Sequence, residues 1–184
     1  MRLFVATSVT GEAAVRVASL IASMRARLPR AAWVSAHSHH ITFAFLGEQL
    51  PEAVPRLTEA LRGATADVVA IDATLARGGF FPSERKARVG WVAIEPEGPI
   101  IAAAERVRGA VASCGVKFDD KPFKAHLTLA RLRDEWRARD IELFRRMVEE
   151  AGAIAFRLDR VSLYESRLAP SGAVHTELAG FQLR

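Results

Sequence analysis

Two short segments of the chain share one pattern, His40-Ile41-Thr42 and His126-Leu127-Thr128, in which an imidazole is followed two residues later by a hydroxyl. Successive side chains on a β-strand point to opposite faces, so in an extended segment each His lies beside its Thr. His40 and Thr42 then share one face while Ile41, Phe43 and Phe45 share the other; His126 and Thr128 likewise lie opposite Leu127 and Leu129. One such strand is commonplace, but two at equivalent places suggest a paired site. A pair of imidazoles suits in-line displacement at phosphorus, where one removes a proton from water and the other delivers a proton to the departing oxygen. An unperturbed imidazole titrates at roughly 6.5, so near neutral pH small shifts hold one ring neutral and the other protonated. The Thr42 and Thr128 hydroxyls, with nearby backbone N–H groups, can donate to the non-bridging oxygens. This chemistry calls for no metal and no cofactor.

The elements that would position these residues repeat as well. The two motifs are offset by 86 positions (126 − 40), and the same offset lays Arg2-Leu3-Phe4-Val5-Ala6 on Arg88-Val89-Gly90-Trp91-Val92, strand on strand. A helical pattern of Val15, Val17, Leu20, Ile21 and Met24 falls on residues 97–114, which carry Ile101, Val107, Val111 and Cys114 at helical spacing. Val54, Leu57 and Leu61 fall on Ile141, Leu143, Phe144 and Met147, and the run from Val68 to Leu75 falls near Ile154 to Val161. Each half predicts strand, helix, His-x-Thr strand, helix, strand, with short strands near Ala173 to Leu183 finishing the second half. A period of 86 is too long for a solenoid. It predicts one domain over residues 1–184 made of two lobes, about 1–86 and 87–184, related by a pseudo-two-fold axis. The symmetry breaks at a charge, because Arg131 is the repeat-equivalent of Phe45. Strict alternation aims Arg131 away from His126, so a role for it requires the strand to end or bulge there.

Bulk properties narrow the setting. Half of the 184 residues are apolar, enough for a real core, and no low-complexity tract is present. The lone Cys114 closes no intrachain disulfide, which predicts a reducing, cytoplasmic location. The first residues turn polar too soon for a secretory signal, and no apolar run approaches a membrane span. The net charge of +5 favours a polyanionic partner without establishing one.

The ordered set "RLFVA" at the start, "HITFAFLGE" at 40–48, "RVGWVAIE" at 88–95, "HLTLAR" at 126–131 and "LYESRL" at 163–168 resembles the 2H phosphoesterase superfamily. Within it, the text is most similar to the RNA 2′,3′-cyclic phosphodiesterase branch, also described as 2′-5′ RNA ligases. The resemblance covers essentially the whole chain. It implies an α+β bilobal fold, with two antiparallel sheets lining a central cleft and helices outside. It also implies hydrolysis of a 2′,3′-cyclic phosphate at an RNA or oligonucleotide end to a 2′-phosphate, with 2′-5′ ligation as a possible side activity. His40 and His126 match the catalytic histidines, His40 as acid and His126 as base. Thr42 and Thr128 match the phosphate-binding threonines, and Arg131 matches an arginine that is a candidate phosphate clamp. Two departures stand out: Ala125 precedes His126 where relatives commonly have Pro, and His175 stands where an aromatic such as Tyr is common.

Three other readings bear on the same residues. His37 and His39, near His40, could start a metal site, but Ser35, Ala36 and Ser38 supply no further ligands, and loop or surface histidines account for them. A non-catalytic RNA-binding module would keep the fold and its basic cleft, yet both motifs are intact. A sister activity on another 2′,3′-cyclic nucleotide or a 2′-5′ linkage would use the same residues. No obligate protein partner is evident.

Overall fold

The computed structural model describes residues 1–35, 38–119, 121–169 and 172–184. In chain order these form β1 (Arg2–Ser8), α1 (Gly11–Arg27), β2 (Ala31–Trp33), β3 (His40–Glu48), α2 (Ala53–Thr65), β4 (Ile71–Phe81), β5 (Val89–Glu95), α3 (Glu97–Ser113), β6 (His126–Leu132), α4 (Ala138–Glu150), β7 (Ile154–Leu158), β8 (Arg160–Ala169) and β9 (Gly172–Gln182). The helices follow their apolar spacing. Ala13, Val17, Leu20, Ile21 and Met24 form the buried stripe of α1, and Ile141, Phe144, Met147 and Val148 that of α4. The 86-residue period is visible in the elements themselves: α1 and α3 start at residues 11 and 97, and β3 and β6 at 40 and 126.

The strands form two antiparallel sheets, ordered β3-β1-β8-β9 and β2-β6-β5-β4-β7. Sequence halves and sheets do not coincide. β4, from the first half, pairs with β5 of the second, while β8, its near-equivalent in the repeat, pairs with β1. The strands around Ala173 to Leu183 therefore extend the sheet that carries His40, rather than finishing the second half's own sheet. The helices cross over too: α3 packs on β3 and against α2, which also reaches β9, whereas α1 packs on β7 and against α4, which covers β4. One contiguous apolar core fills the space beneath both sheets, with Leu57, Leu61, Leu127, Leu129 and Phe144 fully enclosed. Among the described residues, no helix is long and apolar enough to cross a membrane.

Both His-x-Thr strands carry a bulge at the same repeat position. Along the β1–β3 ladder Val5 faces Ala44 and Ala6 faces Thr42, which leaves Phe43 as the extra residue. Along β5–β6, Gly90 faces Ala130 and Trp91 faces Thr128, which leaves Leu129 extra. Phe43 with Ala44, and Leu129 with Ala130, are consecutive buried pairs, after which alternation resumes in the opposite phase. Phe45 therefore does not share the apolar face with Ile41: it lies on the His40 side and is 54% exposed. Arg131 meets the condition set by the sequence, because the bulge returns it to the face of His126 and Thr128.

Candidate active site

His40 and His126 open their strands, and each is held by the same local contact. The Nδ1 of His40 lies 2.7 Å from the Ser38 carbonyl oxygen, and that of His126 lies 2.7 Å from the Lys124 carbonyl oxygen. A carbonyl only accepts, so each Nδ1 carries the proton and donates it. Each Nε2 is then a lone pair when the ring is neutral and a donor when it is charged. The two strands approach one another between the sheets.

Arg131 joins the two halves electrically. Its guanidinium is exposed, makes no salt bridge among the described residues, and is close enough to both imidazoles to disfavour their charged forms. Burial is the larger influence on each ring. It lowers His40 to about 4, against the Ser38 carbonyl, which favours the proton, and with smaller depressions from His175, Arg131 and His39. Burial likewise lowers His126, assisted by Lys124 and Arg131. Burial thus favours the neutral form of both rings. Thr42 and Thr128 lie half-buried on the same faces as their histidines.

Aromatic walls that the sequence did not single out flank each imidazole. The Phe4 ring lies 5.0 Å from His40, stacks on Tyr164 at 5.2 Å and approaches the open Phe45 ring at 6.3 Å. Tyr164 in turn shares a 2.8 Å hydrogen bond with the Ser8 hydroxyl. On the other wall, Phe81 meets His126 edge-on at 4.9 Å and stacks on Trp91. The Lys124 ammonium sits 4.3 Å from the centre of the Trp91 ring. Gly79 makes this wall possible: a Cβ there would enter the Trp91 indole, so the indole lies flat over bare backbone. The register pairs account for some of these contacts, since Phe4 faces both Phe45 and Tyr164, and Trp91 faces Gly79.

His39 lies in the loop that leads into β3, one of the two settings the sequence allowed. It is 2% exposed, not a surface histidine, and its carbonyl accepts from the Val9 N–H at the end of β1. His37 lies outside the described residues. No group of three or more His, Cys, Asp and Glu side chains among the described residues could hold a metal ion.

Comparison with known proteins places this geometry in context. A model of the 2′-5′ RNA ligase superfamily matches residues 12–169. The sequence is 34% identical over 193 residues to the RNA 2′,3′-cyclic phosphodiesterase of Thermus thermophilus, covering all of this chain and 91% of that one. It is 30% identical to the RNA 2′,3′-cyclic phosphodiesterase of Archaeoglobus fulgidus, covering 99% of this chain and all of that one. The solved structure of TT0787 of Thermus thermophilus matches with a TM-score of 0.77 at 30% identity, over all of this chain and 98% of that chain. The two antiparallel sheets with helices outside are thus a shared architecture, as the sequence motifs imply.

Proposed function

Because the chain belongs to the 2′-5′ RNA ligase superfamily of 2H phosphoesterases, we propose that it hydrolyses 2′,3′-cyclic phosphates at RNA ends to 2′-phosphates without a metal. The observation that carries the reading is the paired imidazoles, each with Nδ1 tied to the carbonyl two residues before it, under the influence of one unpaired guanidinium.

The cyclic phosphodiester enters between β3 and β6 with its non-bridging oxygens toward Arg131, Thr42 and Thr128. Its negative charge offsets the guanidinium and favours protonation of a ring whose burial favours the neutral form. His126 Nε2 removes a proton from water as the water oxygen attacks phosphorus. The bond from phosphorus to the ribose 3′ oxygen breaks, and His40 Nε2–H delivers the proton to that oxygen. Arg131 and the two hydroxyls stabilise the charge that grows on the non-bridging oxygens. Phe45 offers an open ring on which a nucleobase can stack.

The test is turnover of an oligonucleotide ending in a 2′,3′-cyclic phosphate, measured with excess chelator and followed by identification of the product. A 2′-phosphate formed at undiminished rate is expected. Loss of activity in chelator, restored by one divalent metal, would overturn the metal-free mechanism, and a 3′-phosphate product would overturn the assigned leaving group.

A further inference from the structure

His175 has no part in the scheme above, yet it lies in the site. It belongs to β9, three strands from β3 in the sheet, a separation of roughly 14 Å if the sheet were flat. The sheet curls, and the His175 ring reaches His40 at 5.2 Å between centroids and 85° between planes. It also meets Phe4 edge-on at 4.9 Å. With Phe4 itself against His40, three rings close a triangle. The Nδ1 of His175 is buried in that triangle with no hydrogen-bond partner among the described residues. A packing role alone would be served better by a ring without a buried polar atom.

We propose that His175 is a positioning residue for the His40 proton: it wedges the His40 ring in place and competes with it for charge. The proposal rests on the reading of His40 as the general acid. Two imidazoles in contact do not both become charged cheaply, so the pair titrates in two linked steps and the first proton suppresses the second. Among the described residues, no acidic group is one of those acting on His40. His40 faces Arg131 from β6, His39 from the preceding segment and His175 from β9. Tyr164, from β8, lies behind Phe4 and is bonded to Ser8. Glu177, two residues along β9, is engaged by Arg160 and Ser162. Burial disfavours the charged form of His175 as well, so neither ring readily holds the proton.

Two variants separate charge from wedge: His175→Phe keeps a ring without a basic nitrogen, and His175→Gln keeps polarity without a ring. The His40 titration is read by NMR of its ring carbon, and kcat/KM is measured against pH. In both variants the His40 midpoint should rise by about one pH unit, and the acidic limb of kcat/KM, set by the ring with the lower proton affinity, should follow. Only His175→Gln should lose turnover at its optimum, about tenfold at little-changed KM, because its His40 ring has lost the wedge. An unmoved His40 midpoint in both variants overturns the proposal, and so does a lowered melting temperature with both pH limbs in place. The NMR titration requires no substrate. Failure of the reading of His40 as general acid would instead appear as normal turnover in His40→Ala.

Discussion

At the scale of single residues, the tie from Nδ1 to a carbonyl decides what each histidine can do. It leaves one nitrogen per ring for chemistry and orients that nitrogen away from the strand that carries it. His40→Ala and His126→Ala should therefore each lower kcat by about 10²- to 10⁴-fold with the fold retained, and Thr42→Ala and Thr128→Ala by less. The double histidine variant should match the worse single one, because either loss already closes the concerted route. The low proton affinity of both rings sets the pH dependence. If, as proposed, the working form holds one proton on the pair, kcat/KM should trace a bell centred clearly below the ordinary imidazole value of about 6.5; a bell centred at or above it would contradict the burial of the rings. Stability should follow the same ring. His40 titrates at about 4 when folded and near 6.5 when unfolded, so the unfolded chain binds more protons between those values and stability is lost as pH falls through them. The full loss is about 3 kcal/mol, and urea melts of His40→Asn should show a flatter dependence over that window.

At the scale of elements, the paired bulges turn a repeated motif into an asymmetric site. Each places the residue five positions after its His back on the cleft face, a charge in β6 and a ring in β3. Phe45→Ala should raise KM for an oligonucleotide several-fold with kcat little changed, since base stacking is worth about 1–3 kcal/mol in binding. Arg131→Ala should lower kcat as well, because the charge it opposes grows during reaction. Gly79→Ala would drive a methyl into Trp91 and should destabilise by about 1–3 kcal/mol, as a fall in the melting temperature. The sequence placed the two histidines and two threonines on matching strands and set the condition on Arg131, because types and spacing survive in the text. It misassigned Phe45, because alternation presumes a regular pleat and a bulge leaves no mark in residue type. His39 lies in a loop, as the sequence allowed, but is buried there. His175 stood out only as a departure from a family pattern, since the curl that brings β9 to β3 is a property of the folded sheet.

At the scale of the whole molecule, the 86-residue period recurs in where elements start but does not say which strands pair, since likeness between halves carries no information about partners. The pairing is an exchange: β4 completes the sheet of the second half, and β8 completes that of the first. Each cleft wall therefore depends on chain from both halves. Heating or urea should give one transition, with probes at Trp33 and Tyr164 reporting the same midpoint, and two separated midpoints would show that the lobes melt independently. The exchange also makes the halves behave like the partners of a swapped dimer. Expressed alone, fragments 1–86 and 87–184 would each expose a strand edge and an uncovered helix face, so neither should fold. Mixed together, they should reassemble by strand complementation into one cleft with restored turnover, at a rate that rises with fragment concentration.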